Sequence, residues 1–278
     1  MKNYRKIAIY SLLFIACFMF TSFMFTSFLM VNNKAVKIMG EEVTYTLNGT
    51  TFKGYIAYDA STKNKRPGIL VVHEWWGNNE YSRMRARKLA ELGYIALAVD
   101  MYGDGKIATN PQEAQQFSGE VYKDMEVLKN RMEAAEEKLK TYDETDKNNI
   151  GAIGYCFGGS VVLNAAKMGM DFKGVVSFHG SLAGVPATKD VLKAKILVCH
   201  GGADKFVTDE DVKKFRSNLD SIGATYTFKV YPGATHAFTN PAATDLGKKF
   251  NMPIAYNEAA DKNSWNDMKD FFSTIFKK

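Results

Sequence analysis

The sequence predicts an α/β fold with a mostly parallel central sheet and helices on both faces. Short apolar runs rich in Val and Ile alternate along the chain with longer segments of helical period. Strands that alternate with helices need crossover connections, and these make neighbouring strands parallel. About 240 residues remain after an apolar N-terminus, a length that fits one domain of this class. We therefore expect a single domain over residues 35–278.

The predicted sheet begins with a hairpin over residues 43–58, in which polar and apolar side chains alternate around the turn residues Asn48 and Gly49. The later strands are continuous apolar runs, which are typical of parallel strands buried on both faces. These runs cover residues 69–72, 94–99, 150–155, 175–178, 196–199 and 226–231.

Helices are predicted between these strands from cap residues and from the spacing of apolar side chains. The second helix starts at Asn110 and Pro111, which are favoured at a helix N-cap and first turn. We expect it to continue to about residue 142, with a break near Gly119. The predicted helices cover residues 81–92, 110–142, 158–167, 209–222 and 256–276.

The first 34 residues differ from the rest of the chain. Lys2, Arg5 and Lys6 precede residues 7–31, an uncharged apolar stretch long enough to span a bilayer as a helix. The basic start favours a cytoplasmic N-terminus, so we expect an exported protein in the periplasm or another extracytoplasmic location. Residues 1–34 are predicted to be an uncleaved membrane anchor or a cleaved signal peptide, and lipid modification of Cys17 is a third alternative.

Net charge and motif content exclude several classes of function. The formal charge is +6, and four of the basic residues lie in the acid-free segment 1–34, which leaves +2 for the remainder. This balance argues against a nucleic-acid partner. The three cysteines do not form a disulfide framework, and the sequence has no H-E-x-x-H, C-x-x-C or nucleotide-binding motif. We therefore expect no metal and no other cofactor.

The residues Gly154-Tyr155-Cys156-Phe157-Gly158 follow an apolar strand and open a helix. They match the G-x-nucleophile-x-G elbow of the α/β-hydrolase fold, with Cys in the place that Ser usually takes. The glycines are needed because side chains at 154 and 158 would collide with the neighbouring strand and helix. The turn sets the thiol at a helix N-terminus, where the helix dipole favours the thiolate. Cys156 is therefore the candidate nucleophile.

Asp204 and His236 follow two later strands of the predicted sheet. Loops at the carboxyl ends of parallel strands carry function in open α/β sheets. The chain order of nucleophile, acid and base is also that of the α/β-hydrolase fold. We expect His236 to accept the thiol proton and Asp204 to orient the imidazole.

Two backbone N–H groups are candidate donors to a developing oxyanion. One belongs to Phe157, directly after the nucleophile, and the other to Trp75, after an early strand, where this fold supplies its second donor. Glu74 is expected to point into the same pocket. The side chains expected to line the pocket are Trp76, Tyr102, Phe206 and Phe238.

Five segments together resemble the dienelactone hydrolase family in residue type and order. The resemblance implies a carboxylic-ester or lactone hydrolase with a Cys–His–Asp triad, a thioester intermediate and no cofactor. It also implies that Glu74 engages the resting cysteine and that substrate binding releases the thiolate. The segments are His73-Glu-Trp-Trp-Gly77, Ala98-Val-Asp-Met-Tyr-Gly103, Gly154-Tyr-Cys-Phe-Gly-Gly159, His200-Gly-Gly-Ala-Asp204 and Thr235-His-Ala-Phe238.

The sequence departs from this family at the expected substrate-binding arginines. Family members that hydrolyse dienelactone hold its carboxylate with two arginines. Here residues 100–105 contain no Arg, and Asn240 stands four residues after His236. Lys106 replaces that recognition only in part, because Arg binds a carboxylate through two parallel hydrogen bonds. We therefore expect the fold, the reaction class and the triad, but not the dienelactone substrate.

Two other functions fit parts of the sequence. A class I glutamine amidotransferase or related cysteine hydrolase also uses a G-x-C-x-G elbow, but it pairs its His with an acid two residues later, where this chain has Phe238. A membrane-tethered binding module on a hydrolase scaffold is the other alternative, since fold does not fix function. The expected partners are a small-molecule ester or lactone and, if residues 1–34 are not removed, the membrane.

Overall fold

The computed structural model describes residues 35–276. Within this range the chain folds around one eight-stranded sheet. The spatial order of the strands is β1-β2-β4-β3-β5-β6-β7-β8. The strands are β1 (Ile38–Leu47), β2 (Thr50–Asp59), β3 (Arg66–Val72), β4 (Ile95–Val99), β5 (Thr145–Tyr155), β6 (Gly174–Phe178), β7 (Lys195–Gly201) and β8 (Tyr226–Tyr231).

Strands β3 to β8 are parallel to one another, and β1 and β2 are antiparallel at one edge. The predicted α/β fold with a mostly parallel sheet is confirmed. The hairpin turn is also confirmed, because Asn48 and Gly49 both have positive φ angles, of 50° and 79°. Two positive φ angles give the type I′ turn that suits the twist of a hairpin.

The helices pack on both faces of the sheet because β3 buries alternate side chains on opposite sides. Leu70 and Val72 belong to the core on one face, and Ile69 and Val71 to the core on the other. The first core is covered by α2 to α5, and the second by α1 and α7. The helices are α1 (Glu80–Glu91), α2 (Pro111–Tyr122), α3 (Met125–Lys140), α4 (Phe157–Lys167), α5 (Asp209–Ser221), α6 (Ala243–Phe250) and α7 (Glu258–Ile275).

The break in the long predicted helix lies at Asp124 rather than near Gly119. The Asp124 side chain accepts a hydrogen bond from the Glu126 N–H and so starts α3 as an N-cap. Gly119 lies inside α2, because one glycine costs a helix only about 1 kcal/mol and does not end it. Helix α6 was not predicted. Its N-cap residue, Ala242, makes no side-chain capping bond that the sequence could reveal.

The predicted anchor or signal peptide, residues 1–34, lies outside the described residues, so its fate and the boundary at residue 35 stay predictions. Over residues 35–276, every helix is too short or too polar to cross a membrane.

The parallel strands bring four predicted site residues to one edge of the sheet. Glu74 follows β3, Cys156 follows β5, Asp204 follows β7 and His236 follows β8. Because carboxyl ends of parallel strands share an edge, these residues come together although they are far apart in sequence.

Candidate active site

Cys156 occupies a strained turn between β5 and α4. Its φ and ψ are 53° and −114°, a conformation that L-residues rarely adopt. The glycines around it are required by space. A Cβ at Gly154 would lie 2.0 Å from the Gly158 carbonyl oxygen, and one at Gly158 would lie 2.3 Å from the Val72 carbonyl oxygen. The turn therefore needs glycine at both positions, and it leaves the Cys156 side chain partly exposed.

His236 lies between Asp204 and Cys156. Its Nδ1 is 2.8 Å from Asp204 Oδ2, and the other Asp204 oxygen accepts the Phe206 N–H at 2.8 Å. Burial disfavours the charged ring, but the negative sulfur of Cys156 and the hydrogen bond to Asp204 raise the pKa of His236 to about 10. The arrangement therefore favours the charged, imidazolium form of His236.

Glu74 is a buried carboxyl group in the same cavity. It is 3% exposed, its Oε2 accepts a hydrogen bond of 2.6 Å from the Asn240 amide, and its Oε1 has no partner within the described residues. Burial raises the pKa of Glu74 to about 7, although Asn240 and the charge of His236 oppose this. Asn240 thus holds Glu74 at the place where the resemblance implies an arginine.

The cavity above these residues has a volume of about 160 Å³ and is mostly apolar. Trp76 and Phe206 line it, as expected. Tyr102 and Phe238, expected as lining, do not: the Tyr102 hydroxyl donates to the Trp75 carbonyl at 2.9 Å, and Phe238 is fully buried in the core. The residues that line the cavity are Glu74, Trp75, Trp76, Cys156, Phe206, His236, Ala237, Met252 and Ile254.

Met252 and Ile254 were missed because they lie far along the chain from the motifs. They follow α6, and a β-bridge between His236 and Ile254 holds their segment beside the histidine. The sequence contained no pattern that predicts this bridge.

The N–H groups of Trp75 and Phe157 donate no hydrogen bond to other groups in the part of the chain that the structure describes. They belong to the loop after β3 and to the first turn of α4. The Cys156 N–H is engaged instead, with the Phe178 carbonyl at 3.0 Å and with His179 Nδ1 at 3.1 Å. Both amides therefore lack a partner within residues 35–276, as a donor to an oxyanion must.

His179 is a site residue that sequence reasoning missed. It has a φ of 41°, is 1% exposed, and hydrogen-bonds through Nε2 to the Thr239 hydroxyl at 2.7 Å. Because Nδ1 accepts the Cys156 amide, Nε2 carries the ring proton. Burial, with the charges of His236 and Arg85, holds the pKa of His179 well below its usual range. The ring is therefore neutral.

The Thr239 hydroxyl connects this histidine to a buried ion pair. This hydroxyl lies 2.6 Å from the Tyr81 hydroxyl. The backbone carbonyl of Thr239 accepts a hydrogen bond of 2.7 Å from Arg85. Arg85 also binds Asp261 at 2.5 Å. The only feature of the sequence that pointed to His179 was its position after a strand. His73 and His200 have the same kind of position, so the sequence did not show which of the three belongs to the site.

His73 and His200 do not line the cavity. The His73 Nε2 accepts the Met101 N–H at 3.2 Å and its Nδ1 pairs with the Glu74 carbonyl, so it fixes the loop that carries Glu74. No group of side chains among residues 35–276 has the composition and spacing of a metal site.

Comparison with known proteins gives a consistent result. A model of the dienelactone hydrolase family matches residues 52–276. A relative from Aquifex aeolicus, provisionally named a carboxymethylenebutenolidase, is 29% identical over 244 residues, covering 86% of this chain and all of its own length. Protein usf from Aquifex pyrophilus is 28% identical over 239 residues, covering 84% and 98% of the two chains.

Solved structures agree with this result. The crystal structure of a dienelactone hydrolase-like promiscuous phosphotriesterase from metagenomic libraries superposes with a TM-score of 0.80 at 31% identity. It covers 86% of this chain and 99% of its own.

The buried carboxyl of Glu74 predicts a stability that depends on pH. The folded chain binds its proton more tightly than the unfolded chain, so the free energy of unfolding falls as pH rises from about 4.5 to about 7. Glu74→Gln removes this loss. We expect the free energy of unfolding of the variant minus that of the parent to be roughly 2 kcal/mol more favourable at pH 8 than at pH 5. Both free energies are measured by urea unfolding. The same substitution at exposed Glu91 is the control, and a Glu74→Gln effect that is equal at both pH values would contradict the assignment.

The bond between His179 and the Cys156 amide predicts that His179 affects the reactivity of the thiol. His179→Leu removes the acceptor, and we expect alkylation of Cys156 by iodoacetamide to slow about tenfold, the effect of one hydrogen bond. His179→Asn offers an oxygen near the place of Nδ1 and tolerates positive φ, so it should retain most of the rate. The rate is followed by mass spectrometry of the peptide that contains Cys156. Equal rates in the Leu variant and the parent would show that the bond does not position the thiol.

Proposed function

Since the chain belongs to the dienelactone hydrolase family, we propose that this hydrolase cleaves a neutral carboxylic ester or lactone, with Cys156 as nucleophile, His236 as base and Asp204 as the acid that orients the imidazole. The observation that carries the proposal is the 2.8 Å hydrogen bond between His236 and Asp204, beside Cys156 in a mostly apolar cavity. A hydrogen-bonded acid, base and nucleophile in this order support nucleophilic catalysis.

In the first half of the reaction the thiolate sulfur attacks the ester carbonyl carbon. The carbonyl π electrons move to the oxygen, which accepts hydrogen bonds from the N–H groups of Trp75 and Phe157. The tetrahedral intermediate then breaks its bond to the alcohol oxygen, and this oxygen takes the proton from the His236 imidazolium. The products of this half are a free alcohol and a thioester on Cys156.

In the second half a water molecule gives a proton to neutral His236 while its oxygen attacks the thioester carbon. Collapse of the second tetrahedral intermediate breaks the carbon–sulfur bond and releases the carboxylic acid. The thiolate and imidazolium are restored. Asp204 stabilises the charged ring at both stages, because its oxygen stays bonded to Nδ1.

The cavity walls support a neutral and small substrate. Within residues 35–276 no Arg or Lys lines the cavity, and the position of the expected arginine is held by Asn240, whose amide is bonded to Glu74. A substrate carboxylate would thus lose its water and meet no Arg or Lys, and the charge of His236 is already balanced by Asp204, so its binding is unfavourable. A volume of about 160 Å³ is below that of typical drug-sized sites, so it fits a short acyl or alcohol group.

The two alternative functions have no support in the comparisons. The carboxylate bonded to His236 is Asp204, and Phe238, which stands where an amidotransferase would carry its acid, is buried in the core. The hydrolase family model matches residues 52–276, and the relative provisionally named a carboxymethylenebutenolidase is matched along its whole length, which favours an enzyme over a binding module.

The test of the proposal is ester hydrolysis by Cys156 variants. We expect Cys156→Ala to lower kcat/KM on 4-nitrophenyl acetate and on small lactones by at least about 1,000-fold, as the loss of a nucleophile does. During turnover the intact mass of the parent should show one added acyl group. A digest of the same sample should place this group on the peptide that contains Cys156. Cys199→Ala, at a fully buried cysteine outside the cavity, is the matched control. Activity of Cys156→Ala equal to that of the parent would overturn the proposed function.

The absence of Arg and Lys from the cavity lining within residues 35–276 predicts discrimination by charge. We expect kcat/KM for 4-nitrophenyl butyrate to exceed that for the 4-nitrophenyl monoester of succinate, a similar chain with a carboxylate, by roughly 10-fold or more. Asn240→Arg should reduce this ratio, while Asn240→Gln, which stays neutral, should keep it. Equal rates on the two esters with the parent would contradict a neutral substrate.

A further inference from the structure

A second cavity of about 460 Å³ lies between α5 and the loop of residues 182–186. It shares no lining residue with the cavity above Cys156. Lys167, the last residue of α4, lines it together with Leu182, Val185 and Phe215.

Lys167 is a buried cation without an acid partner among the described residues. It is 5% exposed, and its Nζ lies 5.1 Å from the centre of the Phe215 ring. Burial lowers the pKa of Lys167 to about 8, and no neighbouring carboxylate opposes this. Lysine is rarely buried without a partner, because the ammonium loses its water. Lys167 therefore presents a cation to the cavity that no carboxylate of residues 35–276 neutralises.

The other polar side chains of this cavity are hydrogen-bonded or, like Lys214, largely exposed to solvent. Both ends of the Asn218 amide bond to the backbone of Ala187, at 2.8 and 3.2 Å. Asp211 accepts from the Thr208 amide and hydroxyl at 2.9 and 2.6 Å. Lys214 lies 3.9 Å from Glu210. Lys167 is thus the lining group that a ligand would satisfy.

We propose that this cavity is a binding site for a small organic monocarboxylate, whose charged group pairs with Lys167 and whose apolar part packs against Leu182, Val185 and Phe215. One buried cation matches one negative charge. Asp211 on the cavity wall disfavours a dianion by repulsion. The apolar side chains favour an organic acid over an inorganic anion, since their burial adds hydrophobic stabilisation.

The site is joined to the cysteine by two elements. Helix α4 runs from the residue after Cys156 to Lys167, a length of about 16 Å. The loop that lines the cavity begins just after His179, which binds the Cys156 amide. The ligand would contact both elements that hold the nucleophile turn.

The test uses the full-length protein and follows its unfolding temperature at pH 7. The probes are acetate, butyrate and benzoate, each compared with the matched uncharged amide, and inorganic phosphate. We expect at least one carboxylate to raise the unfolding temperature by a few degrees at saturation, with no rise from its amide and a smaller rise from phosphate. Failure of every carboxylate to exceed its amide would overturn the site.

Variants separate this site from the cavity above Cys156. Lys167→Met should abolish the carboxylate effect, Lys167→Arg should keep part of it, and Lys262→Met, at an exposed lysine of α7 that does not line this cavity, should keep it in full. An equal effect in Lys167→Met and the parent would place the carboxylate elsewhere and overturn the proposal.

A second measurement needs no variant, in case Lys167→Met fails to fold. Reductive methylation of Lys167, measured by peptide mass spectrometry, should slow at least threefold when the carboxylate is present at saturation. The matched amide should leave the methylation rate unchanged. Unchanged methylation would also overturn the site. Neither measurement needs turnover, so loss of ester hydrolysis would contradict the proposed function and leave this result unaffected.

Discussion

Cys156 holds a φ of 53° and a ψ of −114°, and its surroundings are arranged to keep it there. The glycines at 154 and 158 let the strand and the helix approach closely, and the cysteine amide is held by the Phe178 carbonyl and by His179. Strain of this kind persists only when neighbouring contacts determine it. This turn directs the thiol toward His236, so the chemistry of the site depends on the backbone conformation of Cys156.

Charge in the site is controlled by burial as much as by partners. Burial would keep His236 neutral, yet Asp204 and the cysteine sulfur raise its pKa to about 10. Glu74 has only an amide partner, and burial raises its pKa to about 7. The same cavity thus holds an imidazole, His236, that is favoured in its charged form and a carboxyl group, Glu74, that is favoured in its neutral form. Asn240 is central to this balance, because an arginine there would ionise Glu74 and attract anionic substrates.

The residues behind the cysteine form a rigid support rather than a second reactive set. His179, Thr239 and Tyr81 link the nucleophile turn to Arg85, which pairs with Asp261 in the buried interior. Helix α4 extends from the same turn to Lys167, whose buried amine lacks a counter-charge within residues 35–276. A change at the first support would reach Cys156 through the His179 hydrogen bond, and a change at Lys167 would reach it along helix α4.

The sequence by itself determined the alternation of strands and helices, the elbow around Cys156 and the order of Asp204 and His236, because these depend on local propensity, on glycine and on neighbours in the chain. Tertiary structure decided the rest. Tyr102 and Phe238 were expected in the cavity and lie outside it, while Met252 and Ile254 line it through a bridge to His236. The surroundings of His179, Asn240 and Lys167 were likewise hidden, since each is set by packing between segments that are distant in sequence, and no local pattern encodes such contacts.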